Sequence, residues 1–214
     1  MKNHQKATRY VGLFFTIAVA LFGVAMTFIV YADTKLYARI VDSLYDIGVD
    51  AIGAMVSAAL YYGCLRQDGE GMRYFRGLNV LVSAGFLTNI LYYCAAFEPK
   101  LNTYTFITAM VLKLIDLVMI YCFYEYVKVS LGFTGKLADW ASKIIPVLMA
   151  VEAIVILSNI FYPVTYFIDA TGTYQSTAAS PAEDVYLLVA SLLVTILIIR
   201  SETPRNQKVA ALTF

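Results

Sequence analysis

Ionisable side chains inside apolar runs are the first place to look for chemistry in this chain. Lys113 and Asp116 lie three apart within Tyr104–Val127. On a helix they share one face and can neutralise each other. Glu152 lies in a second run, with Ser158 and Asn159 six and seven residues further on. A charge in hydrocarbon is costly, so it turns to a bundle interior or a wet cavity and marks ion paths, proton relays or ligand contacts. Lys113 and Asp116 read either as a structural pair holding a bundle together or as a switchable polar core. Glu152 either faces that pair or lines a water-filled cavity. Asp50 and Glu125 fall near the ends of apolar runs and are read as solvated. Asn89 and Asn159 can hydrogen-bond across helices, each worth on the order of 1 kcal/mol or less.

Several chemistries are not expected. The single histidine, His4, sits in a polar N-terminal tail, so imidazole acid–base catalysis in the membrane is not available. Cys64, Cys94 and Cys122 each lie in an apolar run, odd in number and without a C-x-x-C pair. They read as small packing residues, not as metal ligands or disulfide partners. No G-x-S-x-G, H-E-x-x-H or Gly-rich phosphate cradle occurs. A retinal Schiff base would need a lysine in the last span, but the only lysine inside a run is Lys113. No catalytic residue, no metal site and no cofactor is expected. A net charge of +1 gives no electrostatic reason for a nucleic-acid partner.

The elements that must position these residues follow from composition. The chain is 60% hydrophobic and only 14% charged, with a mean hydropathy of +0.70. Soluble domains are about 45–50% apolar and about 25% charged. The excess apolar surface must face lipid. A helix needs about 20 apolar residues to cross the hydrocarbon core, and in lipid such runs are helical because each backbone group must be satisfied internally. Six runs qualify: Val11–Ala32, Ile47–Leu65, Gly77–Phe97, Tyr104–Val127, Ile144–Tyr162 and Val185–Ile199. The expected fold is an all-α, polytopic transmembrane bundle of about six spans, forming a single transmembrane domain over 1–214. Val11–Ala32 is too long for a signal h-region and reads as a retained anchor.

Orientation follows from the basic residues. With the N-terminus inside, Lys2, Lys6, Arg9, Arg66, Arg73, Arg76, Lys128, Lys136, Lys143, Arg200, Arg205 and Lys208 are cytoplasmic. Only Lys35, Arg39 and Lys100 fall outside. Both the start and the last polar stretch are then inside, at a cytoplasmic (plasma) membrane. Tyrosines gather near span ends, where the ring is apolar and the hydroxyl wants water. Small residues at Gly53, Ala54, Ser57 and Ala58, and at Ser83, Ala84 and Gly85, predict close helix packing. Thr34–Asp46 has apolar residues at helical spacing and reads as an interfacial turn or an extension of the second span. Gly132–Lys143 is a cytoplasmic link with Trp140 as an interface anchor. The loop Pro163–Asp184 is too short for an independent ligand-binding domain. Val209–Phe214 reads as the start of a further helix.

The stretch Leu157-Ser-Asn-Ile-Phe-Tyr-Pro-Val-Thr-Tyr-Phe-Ile-Asp-Ala-Thr-Gly-Thr-Tyr-Gln175 resembles part of the N-terminal multi-span membrane sensor module of bacterial signalling proteins. Those modules precede GGDEF (diguanylate cyclase) or histidine kinase output domains. Arg205–Leu212 is similar to the basic link opening the next family helix. The resemblance covers about Ile47 to Phe214 and implies a bacterial inner-membrane input module that works as a homodimer. Such a module is usually seven-spanned and starts outside. Here an extra N-terminal span precedes it, and the output domain and two further helices are not in these residues. The sensing candidates are Lys113, Asp116, Glu152, Asn159, Tyr166, Asp169 and Tyr174. Two other readings stand beside it. One is a small transporter with Glu152 and Asp116 on a substrate or proton path. The other is a stand-alone membrane scaffold. The lipid bilayer is a partner in all three.

Overall fold

Pro99 and Pro181 each open a helix, where a missing N–H costs nothing and a fixed φ is already helical. The computed structural model describes residues 44–204 apart from Asp68, Phe97 and Thr203, and the isolated helical positions Phe14, Ala18, Leu21 and Ala25. The rest of the first apolar run, the segment before Leu44 and the tail 205–214, with the expected helix start at Val209–Phe214, lie outside the described residues.

Among the described residues the chain is mostly helical. Helix α1 (Leu44–Gly63) passes through a 3-10 turn at Cys64–Arg66 and leads to α2 (Glu70–Ala95). A second such turn, Pro99–Leu101, opens α3 (Asn102–Ser130), and α4 (Lys136–Ser158) follows a short link. Strands β1 (Tyr166–Ile168) and β2 (Tyr174–Ser176) pair as a two-stranded sheet before α5 (Pro181–Arg200). Each expected run after the first has a helix. The ends differ, however: α2 starts at Glu70 and α4 at Lys136, well before the apolar runs do. Hydropathy marks what suits lipid, whereas the backbone ladder carries on through polar turns. At the other end α4 stops at Ser158 instead of reaching Tyr162. Pro163 disfavours helical geometry in the residue before it, and Asn159 turns to serve the loop.

Three helices are long and apolar enough to cross a membrane. They are α2, α3 with its leading turn, and α4, with mean hydropathies of 1.4, 2.1 and 1.9. Val185–Arg200 in α5 is a shorter apolar stretch. Only 11% of the most apolar window of α3 is buried within the chain, so this surface is left for lipid. The stripes Val147–Val151–Ile154 on α4 and Val185–Leu188–Leu192–Ile199 on α5 are exposed, at the spacing of one helix face.

The described residues group into two compact units. The first holds the described parts of Met1–Asp68, Asn79–Ile115 and Ile168–Gln175. Its core forms where α1 meets the later part of α2, and it is built on small residues, as the sequence implies. Ala54 and Ala58 are fully buried, with Phe86 and Leu87 packed over them. Ser83 Oγ donates to the Ala54 carbonyl at 3.3 Å. A Cβ at Gly53 would lie 2.5 Å from the Phe86 ring, so any larger residue there must push the ring aside.

The second unit holds the described parts of Gly69–Leu78, Asp116–Phe167 and Ser176–Phe214. Helix α4 packs on α5, burying Ile145, Ile156, Ala190 and Val194. Tyr186 Oη donates to the Leu117 carbonyl of α3 at 3.3 Å. The hydroxyls of Tyr124 and Ser142 meet at 2.9 Å, and the Phe75 and Tyr126 rings lie 5.2 Å apart.

Gly53→Val is expected to destabilise the first unit by about 1–3 kcal/mol, the usual range for overpacking. The measurement is thermal unfolding in detergent. Adding Phe86→Leu to Gly53→Val should recover part of the loss, because the two sites share one space and do not add.

Candidate functional site

The segment Asp169-Ala-Thr-Gly-Thr173 encodes its own turn. A short acidic side chain can fold back on the following backbone N–H groups. Asp169 Oδ1 accepts from Thr171 N at 2.8 Å, Thr171 Oγ1 at 2.6 Å and Thr173 N at 3.0 Å. Oδ2 accepts from Gln175 Nε2 at 3.1 Å. The backbone closes alongside, with Asp169 N donating to Thr173 O at 2.9 Å and Gly172 N to Asp169 O at 3.1 Å. Gly172 has φ 83°, a conformation open to glycine at little cost. These donors favour the charged carboxylate, with the Thr171 hydroxyl contributing most, so its pKa falls from 3.8 to about 2.

Within the first unit this turn is tied to α3. Asn102, at the start of the helix, donates Nδ2 to the Asp169 carbonyl at 3.0 Å. Its Oδ1 is buried with no donor among the described residues, and a buried polar atom of this kind calls for an explanation. Eleven residues along α3, the Lys113 ammonium lies 5.8 Å from the centroid of the Tyr174 ring. An aromatic face attracts a cation at this range. A rise of about 1.5 Å per residue puts Lys113 roughly 17 Å along the helix from Asn102. Three sensing candidates, Asp169, Tyr174 and Lys113, thus fall into one connected set.

The same unit contains a polar chain that sequence reading passed over. Asp50 is buried, not solvated as expected, and Oδ2 accepts from Asn89 Nδ2 at 2.7 Å. Tyr93 has Asn89 and Asp46 as side-chain partners, and the Tyr92 and Tyr93 rings meet edge to face at 5.6 Å. Asp46 and Asp50 are four apart and Asn89 and Tyr93 are four apart. Each pair therefore shares a helix face, the only hint the sequence held.

In the second unit Asn159 shapes the approach to β1. It is buried, and its Oδ1 accepts from Thr165 N at 2.9 Å and Tyr166 N at 3.2 Å. Its Nδ2 donates to Ile156 O and Thr165 Oγ1, each at 2.9 Å. Thr165 and Tyr166 are completely enclosed, and Thr177 N donates to Thr165 O at 2.8 Å. Asn159 therefore holds a loop instead of bridging helices, which joins it to Tyr166 among the candidates. Glu152 is 6% exposed and sits on α4, whereas Asp116 is exposed on α3. Glu125 is another correction: it is buried and paired with Lys128 at 2.9 Å. Its partner, one turn along the same helix, lets it leave water.

Among the described residues no group of three or more His, Cys, Asp or Glu could hold a metal ion. Comparison with protein-family models, with curated proteins and with solved structures returned no match.

Asn159→Ala is expected to cost about 2 kcal/mol or more, because two enclosed N–H groups lose their acceptor and each such loss costs about 1–3 kcal/mol. Urea or thermal unfolding reads it, and Thr165→Val, which keeps the backbone bonds, should cost less. For Asp169 the folded pKa is the lower one. Its contribution to the hairpin is complete above its ordinary 3.8 and vanishes as pH falls through about 2. The Thr171 and Thr173 amide resonances should titrate near that lower value, and in Asp169→Asn they should be flat.

Proposed function

We propose that this chain is a membrane-embedded sensory input module of a bacterial signalling protein. It would pass a stimulus to a cytoplasmic output domain outside these residues and work as a homodimer. In this reading the six apolar runs all span the cytoplasmic membrane, with both ends inside and the hairpin outside. The observation that carries it is the link from the Asp169 turn through Tyr174 to Lys113. A surface element is coupled to a charge well inside a long apolar helix through the Tyr174 ring that stands beside the ammonium. At the Asp169 end of this link Asn102 offers a buried acceptor, suited to a ligand hydroxyl or amine.

The mechanism is a bias between two helix arrangements. A ligand shifts such an equilibrium only through a difference in affinity for the two states. Loosening the hairpin removes the Tyr174 ring from Lys113. A cation–π contact is worth about 0.5–2 kcal/mol, enough to change the ratio of two states by about two- to thirtyfold. Lys113 then loses one of its contacts, and the balance between the two helix arrangements shifts.

The test is a fusion of the full chain to a diguanylate cyclase domain, with cyclic dinucleotide measured in cells. Tyr174→Leu and Lys113→Met should each change output by two- to thirtyfold at equal membrane abundance, and the double variant should match the singles. Output indifferent to both variants would refute the sensor reading. Labelling of a tag after Lys208 from outside intact cells would refute the topology. Flux through proteoliposomes lost in Asp116→Asn or Glu152→Gln would favour a transporter instead.

A further inference from the structure

The second unit carries a cavity of about 640 Å³ lined by the α3–α4 link and the end of α5. Its walls are of two kinds. Leu131, Phe133 and Leu197 supply apolar surface, while Lys136 from α4 and Arg200 from α5 supply two cations. Among the described residues of the lining Glu202 is the one acid, leaving an excess of one positive charge there. The cations come from different helices and line one space. Lys136 and Arg200 are exposed, and Lys128, the nearest cation on α3, is already committed to Glu125 at 2.9 Å. The start of α4 adds to the field. Gly135 precedes the helix with no side chain capping its first N–H groups.

The geometry points to a binding site for the phosphodiester headgroup of an anionic lipid. A guanidinium and an ammonium bind phosphate oxygens through charge-assisted hydrogen bonds. The apolar wall is what separates a lipid from a free phosphate: acyl chains can lie along it while the headgroup meets the cations. Helix ends are where headgroups reside, and basic pockets between membrane helices recognise anionic lipids this way. The site is independent of the sensor reading and of which end faces the cell interior. It needs only that these helices stand in a bilayer.

Trp140 gives the means to test it. It is the only tryptophan, it is 67% exposed, and it lies four residues beyond Lys136, on the same face of α4. The full-length chain is reconstituted in vesicles of phosphatidylcholine and phosphatidylglycerol, with one or the other brominated on its acyl chains. Quenching of Trp140 gives the relative affinity for the two lipids. A preference for phosphatidylglycerol of about fivefold or more is expected, since one basic residue near an anionic surface contributes about that factor. Lys136→Gln with Arg200→Gln should bring the ratio to one, whereas Lys136→Arg with Arg200→Lys should preserve it. A ratio of one in the native chain overturns the proposal, as does a preference unchanged by the neutral pair. Loss of the preference on adding inorganic phosphate, but not chloride at equal ionic strength, would overturn the lipid assignment in favour of a soluble phosphate.

Discussion

A peptide group in hydrocarbon has no water to bond, and this constraint governs the rest of the structure. It makes the long apolar segments helical, and it restricts irregular backbone to places where side chains can serve the N–H and carbonyl groups. The hairpin between α4 and α5 is exposed at its Asp169 turn, yet its backbone too is served by side chains. Asp169 collects three donors on one oxygen, and Asn159 accepts two enclosed N–H groups. Without these two side chains the segment 159–177 would leave its backbone poorly satisfied.

The same constraint explains where polar side chains are tolerated. Asp50 and Asn89 meet at 2.7 Å between α1 and α2. Glu125 and Lys128 pair within a single turn of α3. Tyr186 reaches the carbonyl of Leu117. Each is a small polar link in apolar surroundings, and losing one partner costs more than the link itself contributes, because the other is left desolvated. Lys113 adds a contact of another kind. The Tyr174 ring beside it is apolar in bulk yet carries a negative face, and the ammonium lies 5.8 Å from its centroid.

Packing between α1 and α2 rests on small residues. Lipid is as apolar as leucine, so burial alone gives helices little reason to associate, and close backbone approach takes over. Gly53 beneath Phe86 and Ser83 against the Ala54 carbonyl are direct expressions of this. The outward stripes on α4 and α5 are large and aliphatic, as suits surfaces that meet lipid tails.

Hydropathy was enough to locate a helix for each apolar run after the first, though not its ends, and the small-residue pattern anticipated the α1–α2 contact, since both depend on local composition. The turn at Asp169 was also legible, because an Asp-x-Thr-Gly-Thr segment carries its donors and its acceptor within five residues. Three things were not. A sequence window shows the distance of Asp50 and Glu125 from a run's edge, which suggests solvation, but not whether a partner stands near. Asn159 was assigned to a neighbouring helix, when its partners are the backbone N–H groups of Thr165 and Tyr166. Nothing in the sequence joins Lys113 to Tyr174, sixty-one positions on. Local hydrogen bonding and apolar periodicity are written into consecutive residues, whereas the meeting of a charge with a distant ring exists only once the chain has folded back on itself.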